Sequence, residues 1–205
     1  MNIYEDLIQF LKKPVPEKDP NRDFFHHVVI FLILLMTCFM ISFFLNILIG
    51  MVYNSGLIEN DYHALDELQK QSTKEILFAL VVFAPLVEET IFRAPITIFQ
   101  SPWKLPFKIE GVNKIRIKAF ENPMVFRTAF YGFALAFGYV HLLNYQVDSQ
   151  ILLYSPLLVA PQISLGLIIG YIRVRLGFFW AIAMHAAYNG ILAFLFLATK
   201  DVLPQ

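Results

Sequence analysis

The chain has almost no cysteine: Cys38 is the only one in 205 residues. A single thiol excludes an intramolecular disulfide, a Cys-x-x-Cys redox pair and a thiolate zinc site. Cys38 lies inside the first apolar run, where packing is its expected role. Excess charge of either sign is also missing, because sixteen Lys and Arg balance sixteen Asp and Glu. A partner for nucleic acid would show a basic excess, so nucleic acid is excluded. The sequence lacks His-Glu-x-x-His, Glu-x-x-His and Gly-x-Ser-x-Gly, and with them the usual signatures of zinc-protease, di-iron and serine-hydrolase chemistry.

What the chain does have is apolar length. It is 58% hydrophobic with 21 Phe, and its mean hydropathy is +0.59. These values describe an all-α polytopic membrane protein rather than a soluble domain. Apolar runs predict five transmembrane helices, at about residues 28–53, 75–99, 124–145, 151–172 and 178–198. Residues 1–23 read as an interfacial helix and linker. Ile3, Leu7, Phe10 and Leu11 form one stripe, which suits a helix lying on the membrane or an ordinary solvated one; Pro14, Pro16 and Pro20 then break it. Residues 24–54 form an anchor that is too long for the apolar region of a signal peptide. His26 and His27 mark its entrance. Residues 75–198 form a four-helix core with an inside loop at 100–123. In that loop Trp103, Leu105, Phe107 and Ile109 alternate with polar residues, and a β-hairpin turning near Gly111-Val112-Asn113 is expected at 103–120. In the fourth span Gly166 and Gly170 suit close helix packing, while Pro156 and Pro161 suit a kink.

Charge asymmetry sets the orientation. With the N-terminus inside, inside segments hold Lys12, Lys13, Lys18, Arg22, Lys104, Lys108, Lys114, Arg116, Lys118, Arg127, Arg173 and Arg175, against Lys70, Lys74 and Lys200 outside. Twelve against three places the N-terminus in the cytoplasm, and in a bacterium the protein in the inner membrane.

Three ionisable residues interrupt the second span, in Phe83-Ala84-Pro85-Leu86-Val87-Glu88-Glu89-Thr90-Ile91-Phe92-Arg93. A charge at the bilayer centre costs roughly 2.5–3.5 kcal/mol on insertion scales, so these side chains must face protein or a wet cavity. Glu89 and Arg93 are i and i+4 on one helix face, which lets them neutralise each other and leaves Glu88 over. Its candidate partners are His141 in the third span and His185 in the fifth, with Asn189 one turn beyond His185. A carboxylate facing a histidine in a shielded site can orient and deprotonate water, and a second histidine with an amide can stabilise an oxyanion.

Glu-Glu-x-x-x-Arg, then Phe-x-x-x-His, then His-x-x-x-Asn on successive spans resembles the CAAX protease and bacteriocin-processing (CPBP, or Abi) family of intramembrane endopeptidases, related to the type II CAAX prenyl endopeptidases. The resemblance covers about residues 75–198. It implies that Glu88 is the base with His141 beside the water, that His185 and Asn189 are oxyanion donors, and that Glu89 and Arg93 support them. It implies a membrane-embedded or lipidated peptide as substrate. Metal stays open, because the family has been described both as metalloproteases and as glutamic proteases; a metal-free site is favoured, and zinc, if bound, would take Glu88, His141 and His185.

The competing class is a non-catalytic membrane protein, such as a bacteriocin immunity factor or a component of a proton relay or transporter. Five spans without an inverted repeat disfavour a secondary transporter. Glu88, His141, His185 and Asn189 are expected to line one cavity open toward the cytoplasm. Helix rise sets a difficulty, since counting ~1.5 Å per residue from the cytoplasmic ends puts His185 at ~10 Å, Glu88 at ~16 Å and His141 at ~25 Å.

Overall fold

The computed structural model describes residues 2–20, 23–58, 63–100 and 122–200. Within them every regular element is helical. The helices are α1 (Ile3–Lys12), α2 (Phe24–Asn54), α3 (His63–Lys70), α4 (Thr73–Leu77), α5 (Ala84–Phe92), α6 (Thr97–Gln100), α7 (Pro123–Val140), α8 (Ser149–Leu158), α9 (Ala160–Arg175) and α10 (Phe178–Thr199). Local chemistry explains their starts. Asn2, Asp23, Ser72, Asn122 and Asp148 each cap a helix by accepting a backbone N–H, and Ser72 and Glu75 form a reciprocal capping box. The hairpin expected at 103–120 lies outside the described residues.

Three stretches are long and apolar enough to cross a bilayer: Phe24–Asn54, Ser149–Arg175 and Phe178–Thr199. The second and third of the five expected spans are not among them. The second is divided, since α4 passes into a π-helical segment, Phe78–Phe83, before α5 begins, and a 3₁₀ turn at Ala94–Ile96 then separates α5 from α6. The third, α7, has eighteen residues and carries Arg127 near its start. The fourth is one hydrophobic length broken at Val159, between Pro156 and Pro161.

Helix α9 is the centre, packed against α1, α2, α7 and α10. Its glycines are what allow α7 to approach. A Cβ at Gly166 would lie 3.0 Å from Phe137, and one at Gly170 would lie 2.8 Å from Phe130. From the other side, Gly138 of α7 accepts the side chain of Ile163 at a distance no Cβ would permit. On the outside, α2 presents Leu32, Met36, Met40, Phe43, Phe44, Ile47 and Met51, an apolar surface whose natural neighbour is lipid.

One end of the bundle is tied by charged groups. Arg173 is buried yet fully engaged: it donates to the Arg93 carbonyl (3.3 Å), to Gln100 Oε1 (3.1 Å) and to Thr97 Oγ1, while Gln100 Nε2 donates back to the Val174 carbonyl at 2.8 Å. Counted from sequence as a loop cation, Arg173 instead fastens α6 to α9. Helix α1 docks at the same end. Leu7 and Phe10 are buried, Asp6 meets Arg175 at 2.7 Å and accepts from the Tyr171 hydroxyl at 2.6 Å, and the Tyr131 hydroxyl donates to the Leu11 carbonyl.

Asp6→Asn keeps the shape of this contact and removes its charge. Hydrogen bonds to charged groups contribute roughly 1.5–3 kcal/mol, so the variant should release α1 and speed tryptic cleavage after Lys12 in detergent by at least about tenfold. A cleavage rate equal to wild type would mean that Phe10 packing alone holds the helix.

Candidate active site

The site begins with a proline. In the segment Phe78–Phe83 the N–H of residue i bonds the carbonyl of residue i−5, and the Ala84 N–H accordingly reaches the Ala79 carbonyl. The next bond in that register would run from residue 85 to the Leu80 carbonyl, but Pro85 has no N–H. The orphaned carbonyl is satisfied from another helix: Asn189 Nδ2 of α10 donates to Leu80 O at 3.0 Å. This bond fixes α10 against the second span and uses one of the two amide hydrogens of Asn189.

Just beyond that junction, α5 carries the carboxylates. Glu89 is fully buried, and Glu88 is 25% exposed. His185 stands between them, with Nδ1 2.9 Å from Glu89 Oε1 and Nε2 3.7 Å from Glu88 Oε2. Glu89 turns its other oxygen toward Arg93, whose Nε is 3.6 Å away. The guanidinium is itself 1% exposed; it donates to the Gly166 carbonyl at 3.3 Å and lies over the Phe137 ring at 4.1 Å. The i,i+4 pairing read from sequence is therefore present, but Glu89 is not used up by it. It is also the close partner of His185, a role the sequence reading gave to Glu88 alone. Glu88 Oε2 has no hydrogen-bond partner among the described residues.

Phe137 organises the two histidines. Its ring centroid is 5.5 Å from that of His185 and 5.0 Å from that of His141, edge-on to both. His141 opens the 3₁₀ turn that ends α7, and its Nδ1 is held at 2.8 Å from the Phe137 carbonyl, which leaves Nε2 available.

Glu88, His141, His185 and Asn189 line one cavity of about 860 Å³, together with Gln162 and Tyr188. Glu89 and Arg93 lie behind its wall. The unequal helix depths are absorbed by the length of this cavity, which runs from Glu88 and His185 near the helix midpoints to Tyr53, Leu68, Asn144 and Phe196. These four belong to the ends of α2, α3, the His141 turn and α10, all at the end of the bundle away from α1 and Arg175.

Other polar groups stand in the wall beside these. Tyr188 donates to Ser42 of α2 at 2.7 Å and stacks on Phe39 at 4.7 Å, so it joins α2 to the site. Tyr53 stands in the same wall, and Gln162 turns into it a buried Oε1 without a hydrogen-bond partner among the described residues. Their signal was a polar atom in an apolar run, which is weak for one tyrosine or glutamine. No group of three His, Cys, Asp or Glu side chains that could hold a metal ion is found among the described residues.

The Pro85 and Asn189 relation is open to a double-mutant cycle. Asn189→Ala should strand the Leu80 carbonyl and lower unfolding stability in detergent by about 1–3 kcal/mol. In a Pro85→Ala background the new N–H can take that carbonyl, and the loss should fall to under half. Equal losses in both backgrounds would refute the link.

Comparison with protein families gives a match to the family described as type II CAAX prenyl endopeptidase Rce1-like, over residues 71–191. That range is more than half of the chain and contains Glu88, Glu89, Arg93, His141, His185 and Asn189. Comparisons with curated proteins and with solved structures give no match. With apolar helices able to cross a bilayer and this match, the chain belongs to the Rce1-like family of type II CAAX prenyl endopeptidases and is an integral membrane protein of a protease family.

Proposed function

We propose that the protein is an intramembrane endopeptidase that hydrolyses a peptide bond of a membrane-associated, hydrophobic or lipidated substrate with a water activated by Glu88 and His141. The observation that carries the reading is the contrast between the two neighbouring carboxylates: Glu89 is sealed against Arg93 and His185, whereas Glu88 is partly exposed in the wall of a cavity that His141 also lines. A base must reach water, and only one of the pair does.

In this mechanism Glu88 accepts a proton from water as its oxygen attacks the scissile carbonyl carbon. The carbonyl oxygen becomes an oxyanion, held by the remaining N–H of Asn189 and by Nε2–H of His185. Because Nδ1 of His185 is committed to Glu89, donation from Nε2 requires the imidazolium. With His185 charged, two carboxylates balance Arg93 and His185. Collapse of the tetrahedral intermediate breaks the C–N bond as protonated Glu88 returns its proton to the leaving amine. The apolar part of the wall, with Ile49, Leu80, Leu158 and Leu165, suits a hydrophobic or lipid-bearing segment.

A proton relay is the rival reading, and the chain Glu88, His185, Glu89, Arg93 has its form. It stops short, since beyond Arg93 the next contacts of the guanidinium are a backbone carbonyl and the Phe137 ring, which pass no proton onward.

The paired carboxylates supply the test. Glu88→Gln should fold and accumulate normally but lose single-turnover cleavage of a hydrophobic peptide by at least ~10²-fold. Glu89→Gln should mainly lower folded yield, because breaking a buried pair costs about 3–5 kcal/mol. Full cleavage by Glu88→Gln would refute the assignment of the base. Chelators should leave activity intact; loss that zinc restores would instead make Glu88 and the histidines metal ligands.

A further inference from the structure

By sequence α2 is an anchor, and the family match begins only at residue 71, beyond its end. In the structure one face of α2 belongs to the site. Phe39, Ser42, Asn46, Ile49 and Tyr53 recur at three- and four-residue spacings, which puts them on one stripe of the helix. The stripe meets α10 first: Phe39 stacks on Tyr188 with centroids 4.7 Å apart, and Ser42 Oγ accepts from the Tyr188 hydroxyl at 2.7 Å. Past that bond it becomes cavity wall, through Asn46, Ile49 and Tyr53.

Within the stripe Asn46 is the polar group with capacity to spare. Ser42 is buried and engaged, whereas Asn46 is exposed. Its Nδ2 donates to the Ser42 carbonyl, one turn back, at 2.8 Å, and its side chain makes no other hydrogen bond among the described residues. A carboxamide carries two N–H groups and an acceptor oxygen, so one donor and the whole of Oδ1 are left over. Inside a helix able to cross a bilayer, such a remainder is costly against lipid and demands a polar neighbour. The cavity gives it room for one, in a wall shared with Glu88, His185 and Asn189. Among the described residues no Lys or Arg lines that wall, so recognition there rests on neutral hydrogen bonds and apolar contact. The main chain of an extended peptide offers an N–H and a C=O at nearly every residue, and a carboxamide can pair with either.

We propose that Asn46 is a substrate-binding residue, whose Oδ1 accepts a main-chain N–H of the bound peptide about three residues from the scissile bond. The spacing comes from the two helices. They run parallel, since Phe24 and Phe31 meet Trp180 while Phe39 and Ser42 meet Tyr188. One turn beyond Ser42, Asn46 is therefore level with Leu192 of α10, which also lines the cavity. At ~1.5 Å per residue Leu192 lies ~10 Å along the axis from His185, and an extended chain advancing ~3.3 Å per residue covers that length in about three residues. The Tyr188 to Ser42 bond is the strut that sets this height. The proposal rests on the endopeptidase reading for the scissile bond, and it makes α2 part of a site whose chemistry lies on later helices.

A Glu88→Gln background of the full chain leaves a peptide intact, so binding can be read in detergent without turnover. The probe is an end-blocked peptide of Leu, Val and Ala, at about ten residues long enough to pass both His185 and Asn46, together with its single-ester forms, in each of which one main-chain N–H is replaced by oxygen. Asn46→Leu, close in shape, should keep the thermal stability of its parent and weaken binding at least ~fivefold. Should leucine crowd its neighbours and lower folded yield, Asn46→Ala reads the same loss. One ester form should bind the Asn46 protein as weakly as the parent peptide binds the variant, and should lose nothing further on the substitution. A purely structural asparagine would show no such dependence on one N–H of the peptide. Equal binding by both proteins, or an equal loss across all ester forms, overturns the inference and leaves the endopeptidase reading standing. That reading falls separately, if Glu88→Gln retains cleavage; a peptide that binds neither protein overturns both.

Discussion

Glu89 is the residue on which the rest of the site depends. A wholly buried carboxylate is tolerated only if several groups compensate it, and here two helices supply them: Arg93 from its own chain segment and His185 from α10. Each compensating group is then fixed in turn. Arg93 is held by the Gly166 carbonyl and the face of Phe137, and His185 by the edge of the same ring. Four elements of the bundle, α5, α7, α9 and α10, thus converge around one negative charge. The neighbouring Glu88 inherits a defined position from this arrangement without being consumed by it.

Much of this was legible in the chain. Charged residues in an apolar run announce a protein-facing cluster because lipid cannot neighbour them, and the four-residue spacings of Glu89 with Arg93 and of His185 with Asn189 are properties of any helix. What could not be read were the relations between helices. Nothing in the sequence says that Glu89 rather than Glu88 takes the short contact to His185, because adjacent residues differ only by a rotation that depends on where α10 lies. Arg173 counts as a surface cation in any linear tally, yet its fate was decided by Thr97 and Gln100, more than seventy positions away. The division of the second span had a local sign in Pro85, but the remedy for its missing N–H came from α10.

The same contrast explains why the span count was less secure than the motifs. Length and hydropathy identify a helix that crosses lipid alone, as α2 does. Segments around a polar site can have their irregular backbone satisfied from neighbouring helices, as Asn189 satisfies the Leu80 carbonyl, so they need not be long, regular or uniformly apolar. The second span, with its π-helical segment and 3₁₀ turn, and α7, with Arg127 near its start, belong to this second kind. Irregularity is concentrated where the chemistry is.

The seam between α7 and α9 divides the cavity wall into two mechanical classes. Where Gly138, Gly166 and Gly170 bring backbone against aromatic rings and Ile163, there is no slack for one helix to slide on the other. The opposite wall, from α2 and α3, meets the cavity through Ile49, Gly50, Tyr53 and Leu68, without such interlocking glycines. A bulky guest would therefore be admitted by outward displacement of the α2 side while the α7–α9 half serves as a stiff anvil. The place of His141, which closes α7, against Gln162 of α9 would then stay constant through each cycle of opening, whatever the size of the chain that enters.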